Sequence, residues 1–304
     1  MPPSLFSAAP VDPCAALAID CSYVVFHRYL AQVSWARKAG VAPERARGEP
    51  CPPATDAELT SFGDSFRQTL TGLMRTYGVA PSRVYMMIDC HRSDIWRRDI
   101  HPEYKGTRAS PGGMPPNVFS HFHAVVLPDL VDTLGVRKIS CPRAEADDIA
   151  AVLCTHLVAD GKSVTVISAD ADLCQLASDK VRVFDVKGVD VLEKACAKAG
   201  LAAPDPESYL HLKVISGDSG DNVAAIRPRI GPRTALKLLL DPVQLEKELA
   251  VPETRRRYEE NKTLVDLSRL PSGIEDAIAR EIRSMVCPSS VPERDLDADQ
   301  ARKG

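Results

Sequence analysis

Three short apolar runs in this chain end at, or within three residues of, an aspartate. Residues 15–19 (AALAI) precede Asp20, residues 84–88 (VYMMI) precede Asp89, and residues 164–167 (VTVI) lead to Asp170. Runs of this length, separated by segments of helical spacing, are the pattern of parallel strands buried on both faces. Ligands of such sheets bind beyond the carboxyl ends of the strands, so three strands would deliver three carboxylates to one edge. The expected fold class is therefore α/β, a mostly parallel central sheet flanked by helices.

The acids do not stand alone. With Glu145, Asp147 and Asp148, with Asp172 beside Asp170, and with Asp218 and Asp221, they make five short clusters. Gathered carboxylates repel one another unless cations neutralise them. Hard oxygen donors without a matching His or Cys set point to Mg²⁺ or Mn²⁺ rather than zinc. Glu145 and Asp148 are spaced i, i+3 at the start of a helical pattern over residues 144–157, where acids also complement the helix dipole. Taken alone, that triplet reads as an ordinary charged first turn.

At 304 residues, with 44% hydrophobic and 26% charged residues, the chain has the composition of a soluble globular protein. No stretch approaches the roughly 20 apolar residues that span a bilayer, and the N-terminus lacks a basic segment followed by an apolar one. A cytoplasmic protein without membrane partners is expected. The nine cysteines are scattered without a CxxC pair, which argues for reduced, structural thiols. The net charge is −3, but without the nine clustered acids it becomes +6. Net charge therefore does not exclude a polyanionic partner.

Residues 56–77 have helical spacing through Leu59, Phe62, Phe66, Leu70, Leu73, Met74 and Tyr77. Residues 37–55 read as an exposed loop rich in Pro, Arg and Gly. Residues 91–116 combine Arg92, Arg97, Arg98, Lys105 and Arg108 with Trp96 and Tyr104 before SPGGMPP. Such interleaving suits a single nucleic-acid strand, and equally a solvated loop. Beyond residue 204 the strand signals vanish, and residues 206–215, 232–240, 242–249, 253–267 and 274–285 read as helices.

The clusters and their flanks, in order, are ALAIDCSYVVFHR, MMIDCHRSDIWRRDIHPEYKGTR, AEADDIAAVL, VISADADLCQLASDKV and ISGDSGDNVAAIRPRIGPRTALKLL. Over residues 15–271 this resembles the 5′-nuclease superfamily, the flap endonucleases and 5′-3′ exonucleases that include the N-terminal domain of bacterial DNA polymerase I. EYKGTR and KTLVDLSRLP are most similar to free-standing bacteriophage flap endonucleases.

The resemblance implies a PIN-like 5′-nuclease core with a helical arch and a helix-three-turn-helix motif. On this reading residues 1–14 are a flexible N-terminus and 15–203 the α/β core, with the arch region at about 91–130. Residues 204–288 are a helical DNA-binding module, with the helix-three-turn-helix at about 210–240, and 289–304 a flexible tail. It further implies a phage protein acting in the bacterial host cytoplasm as a monomer, on DNA with 5′ flaps, nicks or 5′ ends, RNA–DNA primers included, beside a replication polymerase.

By the same resemblance Asp20, Asp89, Glu145, Asp147 and Asp148 surround a first Mg²⁺ (or Mn²⁺), with Asp170 near both ions. Asp172, Asp218 and Asp221 serve a second. Lys105 and Arg108 contact the scissile phosphate, Tyr104 stacks near a terminal base, and Arg28 is a further candidate for a phosphate contact. Arg227, Arg229, Gly231, Arg233 and Lys237 grip duplex DNA, with K⁺ at the Gly-Pro turn.

The family's usual Gly-Ile-Gly hairpin is Arg229-Ile230-Gly231 here, and AIRPRIG is one residue longer than usual. A PIN-like ribonuclease shares the acidic core but does not need the helical module, and a decayed junction-binding protein would lack some of the acids. His121 and His123, two apart on a helical pattern, make a poor metal pair. No phosphate-binding GxxxxGK[ST] loop occurs, and Ser168 and Ser216 have no triad partner.

Overall fold

The computed structural model describes residues 15–40, 51–106 and 114–286. Arg108 and the expected flexible ends 1–14 and 289–304 lie outside them. Strands β1 (Ala15–Asp20), β2 (Val84–Ile88), β3 (Arg137–Ser140), β4 (Ser163–Ile167) and β5 (Val181–Phe184) form one all-parallel sheet in the order β3-β2-β1-β4-β5. The order reverses at β1, so the crevice between the carboxyl ends of β1 and β4 is the topological switch point. Asp20 and Asp170 stand there.

Alternation along β1 sends Ala16 and Ala18 to one face and Leu17 and Ile19 to the other, and all four are buried. On the Leu17 side lie α1 (Cys21–Lys38) and α2 (Asp56–Tyr77). Helix α2 starts at a capping box between Thr55 and Glu58 and stops at Gly78, whose φ of 61° is the left-handed C-terminal turn.

α3 (Asn117–His121), a π-helical turn over residues 122–126 and α4 (Leu127–Leu134) complete this layer. Phe122 packs 4.9 Å from Phe66, centroid to centroid, and Phe119 5.1 Å from Phe26. The arch expected over about 91–130 is thus cut short: from Asn117 onward the chain belongs to the core, because Val118, Phe122, Val126, Leu127 and Leu130 repeat at helical spacing and are all buried.

On the opposite face lie α5 (Ala146–Ala159) and α6 (Val191–Ala199). α7 (Pro206–Ser216), α8 (Pro232–Leu240) and α9 (Pro242–Leu249) pack with one another around Leu212, Ile215, Ile226, Ile230, Ala235, Leu238 and Leu249. α10 (Pro252–Val265) leads to α11 (Ser272–Val286). Helix α11 returns to α5 and β3, and Ile278, Ala279 and Ile282 join the sheet-side core. The region from 204 onward is helical as expected but does not stand apart from the core. Among the described residues no helix is long and apolar enough to cross a membrane, and the seven described cysteines are free.

Strands β3 (RKIS) and β5 (VRVF) escape the apolar-run pattern because they are edge strands interrupted by polar residues, Arg137, Lys138 and Ser140 in β3 and Arg182 in β5. Phe122→Ala tests the placement of the 117–134 segment. A core position costs about 3–5 kcal/mol in urea unfolding, whereas a residue in an exposed arch would cost under about 0.5 kcal/mol.

Candidate metal centre and nucleic-acid interface

Several of the carboxylates double as helix caps, which explains why they sit where strands stop. Asp20 caps α1, its Oδ1 accepting the Tyr23 N–H at 3.0 Å. Asp170 caps the 3₁₀ turn over 171–176, accepting the Asp172 N–H at 2.9 Å. Glu145 caps α5. Asp89 Oδ1 takes the Ala146 N–H at the same helix start (2.8 Å), and its Oδ2 takes the Ser22 hydroxyl at 2.5 Å. Helix N-termini supply both orphan N–H donors and partial positive charge to these anions.

Across the switch point, buried Ser168 donates to Asp20 Oδ2 at 2.7 Å, and its oxygen accepts the Asp170 N–H at 3.0 Å. Ser168 is thus a link between β1 and β4, not a nucleophile. Burial, then Asp89 and Asp170, push the Asp20 carboxyl up to about 7 against hydrogen bonds from Tyr23 and Ser168. Asp147 is raised well above the usual range by burial first, then by Asp170, Asp20 and Glu145.

The second group is tighter. One oxygen each from Asp172, Asp218 and Asp221 lie within 4.8 Å of one another. The turn that presents the last two is closed by reciprocal backbone bonds between Asp218 and Val223, both 2.8 Å. It requires Gly217: φ is 68°, and a Cβ there would sit 2.4 Å from the Val223 carbonyl oxygen.

Lys213, four residues upstream of Gly217 on α7, reaches 2.6 Å from Asp172 Oδ1 and also pairs with Asp218 Oδ2. It serves two carboxylates whose pKa shifts differ in sign. At Asp172 burial wins and raises the carboxyl to about 6. At Asp218 burial is outweighed by Lys213 and by the Gly220 and Asp221 N–H groups, which hold it below the usual range.

Several expected site residues are engaged by protein groups. Asp148, expected around the first ion, is fully buried and spent on protein. Its Oδ1 takes Arg97 at 2.7 Å, and its Oδ2 takes Arg97, Trp96 Nε1 and the Glu145 N–H at 2.9–3.0 Å. Trp96 and Arg97, read as part of a strand-binding loop, are likewise buried. Tyr104, expected to stack on a base, is buried against Ile95, Val223, Leu264 and Val265 and donates its hydroxyl to Asp221 at 2.9 Å. Arg227, expected on DNA, is held by both oxygens of Glu248 at 2.6 and 2.9 Å.

The remaining sites fall as follows. Glu145 is paired on one oxygen with Arg97 (3.0 Å) and on the other with Lys105, whose Nζ also lies 3.7 Å from Asp221. Lys105 therefore stands between the two carboxylate groups. Arg28 donates twice to Ser65 Oγ, joining α1 to α2. Arg229, Gly231 and Arg233 are exposed at or near the start of α8 and Lys237 in its last turn, and the three cations form no ion pair among the described residues. Arg229 takes φ 66°, in the left-handed region, where a residue with a β-carbon pays about 1–2 kcal/mol.

The donor set fits divalent ions. Asp20, Asp89, Asp147 and Asp170 form no salt bridge among the described residues, and the single ammonium of Lys213 is shared between the carboxylates of Asp172 and Asp218. Oxygen-only donors with uncompensated charge suit a hard cation.

Residues 15–200 match the family described as 5′-3′ exonuclease, N-terminal resolvase-like domain. The chain belongs to that 5′-3′ exonuclease family. It is 32% identical to the DNA polymerase I of Rhizobium leguminosarum over 64% of this chain and 18% of that protein. To the 5′-3′ exonuclease of Buchnera aphidicola it is 30% identical over 52% of each. The chain thus spans from under a fifth to about half of these relatives.

Bacteriophage T5 5′-exonuclease with bound zinc shares the fold at a TM-score of 0.62, with 19% identity over 90% of this chain and all of that one. The T5 flap endonuclease in a pseudo-enzyme-product complex with DNA and metal ions gives 0.60, with 19% identity over 89% and 98%.

Asp20 and Asp172 are raised from 3.8 to about 7 and about 6 in the folded exonuclease-family chain. The metal-free native state therefore binds more protons than the unfolded chain between about pH 4 and 7. The stability these groups contribute is full below pH 4 and lost as pH climbs through 6 and 7. In EDTA, Tm is expected to fall from about pH 5.5 to about 7.5, and millimolar Mg²⁺ to restore it at the higher pH. A Tm that rises over that interval in EDTA contradicts the charge arrangement.

Proposed function

We propose that the chain is a divalent-metal-dependent, structure-specific 5′ nuclease, a 5′-3′ exonuclease and flap endonuclease acting on DNA with 5′ flaps, nicks or 5′ ends. The observation that carries this is the pairing of two carboxylate groups at one sheet edge. Asp172, Asp218 and Asp221 converge within 4.8 Å, and Asp20, Asp89, Asp147 and Asp170, which form no salt bridge among the described residues, stand beside them. Mg²⁺ or Mn²⁺ is the metal that this oxygen-only donor set favours.

Asp20, Asp89, Asp147 and Asp170 on one side and Asp172, Asp218 and Asp221 on the other would hold two such ions, which would supply an activated water, orientation of the scissile phosphate and charge neutralisation at the leaving 3′ oxygen. The chain's own residues do the rest. Asp20 and Asp170 are fixed by Tyr23, Ser168 and the Asp172 N–H, so little reorganisation accompanies charge build-up. Lys105, between the groups, is placed to exchange its carboxylate partners for a phosphate oxygen. Arg108 takes the same role by family resemblance.

Duplex binding falls to α8, at whose start Gly231 leaves the backbone N–H groups without a side-chain cap and Arg229 and Arg233 stand exposed, with Lys237 exposed in its last turn. A K⁺ at this turn belongs to the same reading. A groove of about 400 Å³ runs from Ala169 and Ala171, flanking Asp170, past Lys194 and Lys198 to Pro232. Its two exposed lysines suit a phosphate backbone between the metal centre and α8. Removal of RNA–DNA primers and flaps during phage DNA replication is the cellular task that fits.

The test is cleavage of 5′-labelled flap, nicked and blunt DNA in Mg²⁺. The intact chain is expected to cut flaps near the junction. Loss of a residue behind a metal ligand costs about 10–100-fold in related chemistry, so Asp170→Asn is expected to lower the rate by about a hundredfold or more. Full activity in that variant contradicts the assignment.

A further inference from the structure

The KTLVDLSRLP segment has no part in the chemistry above, yet the C-terminal turn of α10 is tied to three of the segments that carry metal-centre carboxylates, one of them through Arg97. Asn261, 2% exposed, donates its amide to the Val214 carbonyl at 2.9 Å and the Ala224 carbonyl at 2.8 Å. These carbonyls lie at the two ends of residues 214–224, the stretch that presents Asp218 and Asp221. The Leu264 carbonyl accepts Arg97 Nε at 2.8 Å, and Arg97 in turn holds Glu145 and Asp148.

The Val265 carbonyl accepts Gln175 Nε2 at 3.0 Å. Gln175 also donates to the Asp172 carbonyl at 2.8 Å, and its Oε1 accepts the Leu267 N–H at 2.7 Å.

The last carbonyls of a helix have no partner within it and must find one elsewhere. In α10 two of them are spent on the side chains that hold the first and second carboxylate groups. The amide of Asn261, one turn earlier on the same helix, secures the third segment. Leu264 and Val265 are buried against Ile95, Tyr104 and Val223, so the anchor is packed as well as hydrogen-bonded. A single rigid turn therefore fixes α5, the 170–175 turn and the 214–224 stretch relative to one another.

We infer that residues 261–267 are the strut that sets the spacing of the two carboxylate groups, with Asn261 and Gln175 as positioning residues for the metal ions. Neither touches substrate. The inference rests on the proposed two-metal reading but is tested by metal binding rather than by cleavage.

Gln175→Met keeps the side chain's length and removes all three hydrogen bonds. Asn261→Ala removes the other pair. Mn²⁺ binding to the DNA-free chain, followed by electron paramagnetic resonance, is expected to weaken about tenfold in each, as for other residues that orient metal ligands. Flap-DNA affinity in EDTA should stay within twofold of the starting protein, and kcat should fall more than KM changes.

Glu259→Ala, on the exposed side of α10, serves as the control and leaves Mn²⁺ binding unchanged. If Asn261→Ala does not fold, Gln175→Met alone decides. Mn²⁺ affinity within twofold of the starting protein in folded Gln175→Met overturns the strut. A chain that cleaves no flap yet loses Mn²⁺ in that variant keeps the strut and refutes the nuclease.

Discussion

Mutual repulsion among carboxylates is the constraint on which the rest of this structure depends. The clustered acids meet around one sheet edge, and among the described residues three cations hold only part of their charge. Arg97 neutralises Asp148 and one oxygen of Glu145, Lys105 bridges Glu145 towards Asp221, and Lys213 joins Asp172 to Asp218. Among the described residues no cation pairs with Asp20, Asp89, Asp147 or Asp170, and burial with the neighbouring acids Asp89 and Asp170 raises the pKa of Asp20. What the protein leaves uncompensated defines where added cations belong.

The scaffold tolerates this because the acids also do local structural work. A cap at the end of a strand fixes the next helix while aiming a carboxylate at the crevice, so fold and site share residues. Asp148 marks the limit of that economy. It lies in the same short motif as Asp147 but points inward, where two oxygens and four donors make a buried joint between Trp96, Arg97 and α5. Removing Arg97 would leave that carboxylate unpaired in the interior, which costs about 3–5 kcal/mol.

Much of this was legible in the sequence. Continuous apolar runs gave the three central strands, and proline-started patterns gave the later helices, because burial on both faces and the first-turn tolerance of proline leave plain marks. Edge strands β3 and β5 left none, since half of each faces polar surroundings. Within the site, motif order singled out acids that the fold brings to one sheet edge, but side-chain direction is a tertiary property. Nothing in WRR or EYK distinguishes a residue that meets DNA from one that braces α5. Arg97 and Tyr104 therefore turned inward against expectation, Arg227 turned to Glu248, and Lys213, Gln175 and Asn261 went unmarked until their partners were seen.

The central claim is that uncompensated carboxylates, partly protonated near neutrality, form a two-ion site. Isothermal titration calorimetry of Mn²⁺ into the DNA-free chain at about pH 6.5, in buffers of different ionisation enthalpy, measures ion number and proton release together. The account predicts two ions and a net release of protons that diminishes towards about pH 8. A single ion, or binding with no proton release at the lower pH, contradicts it.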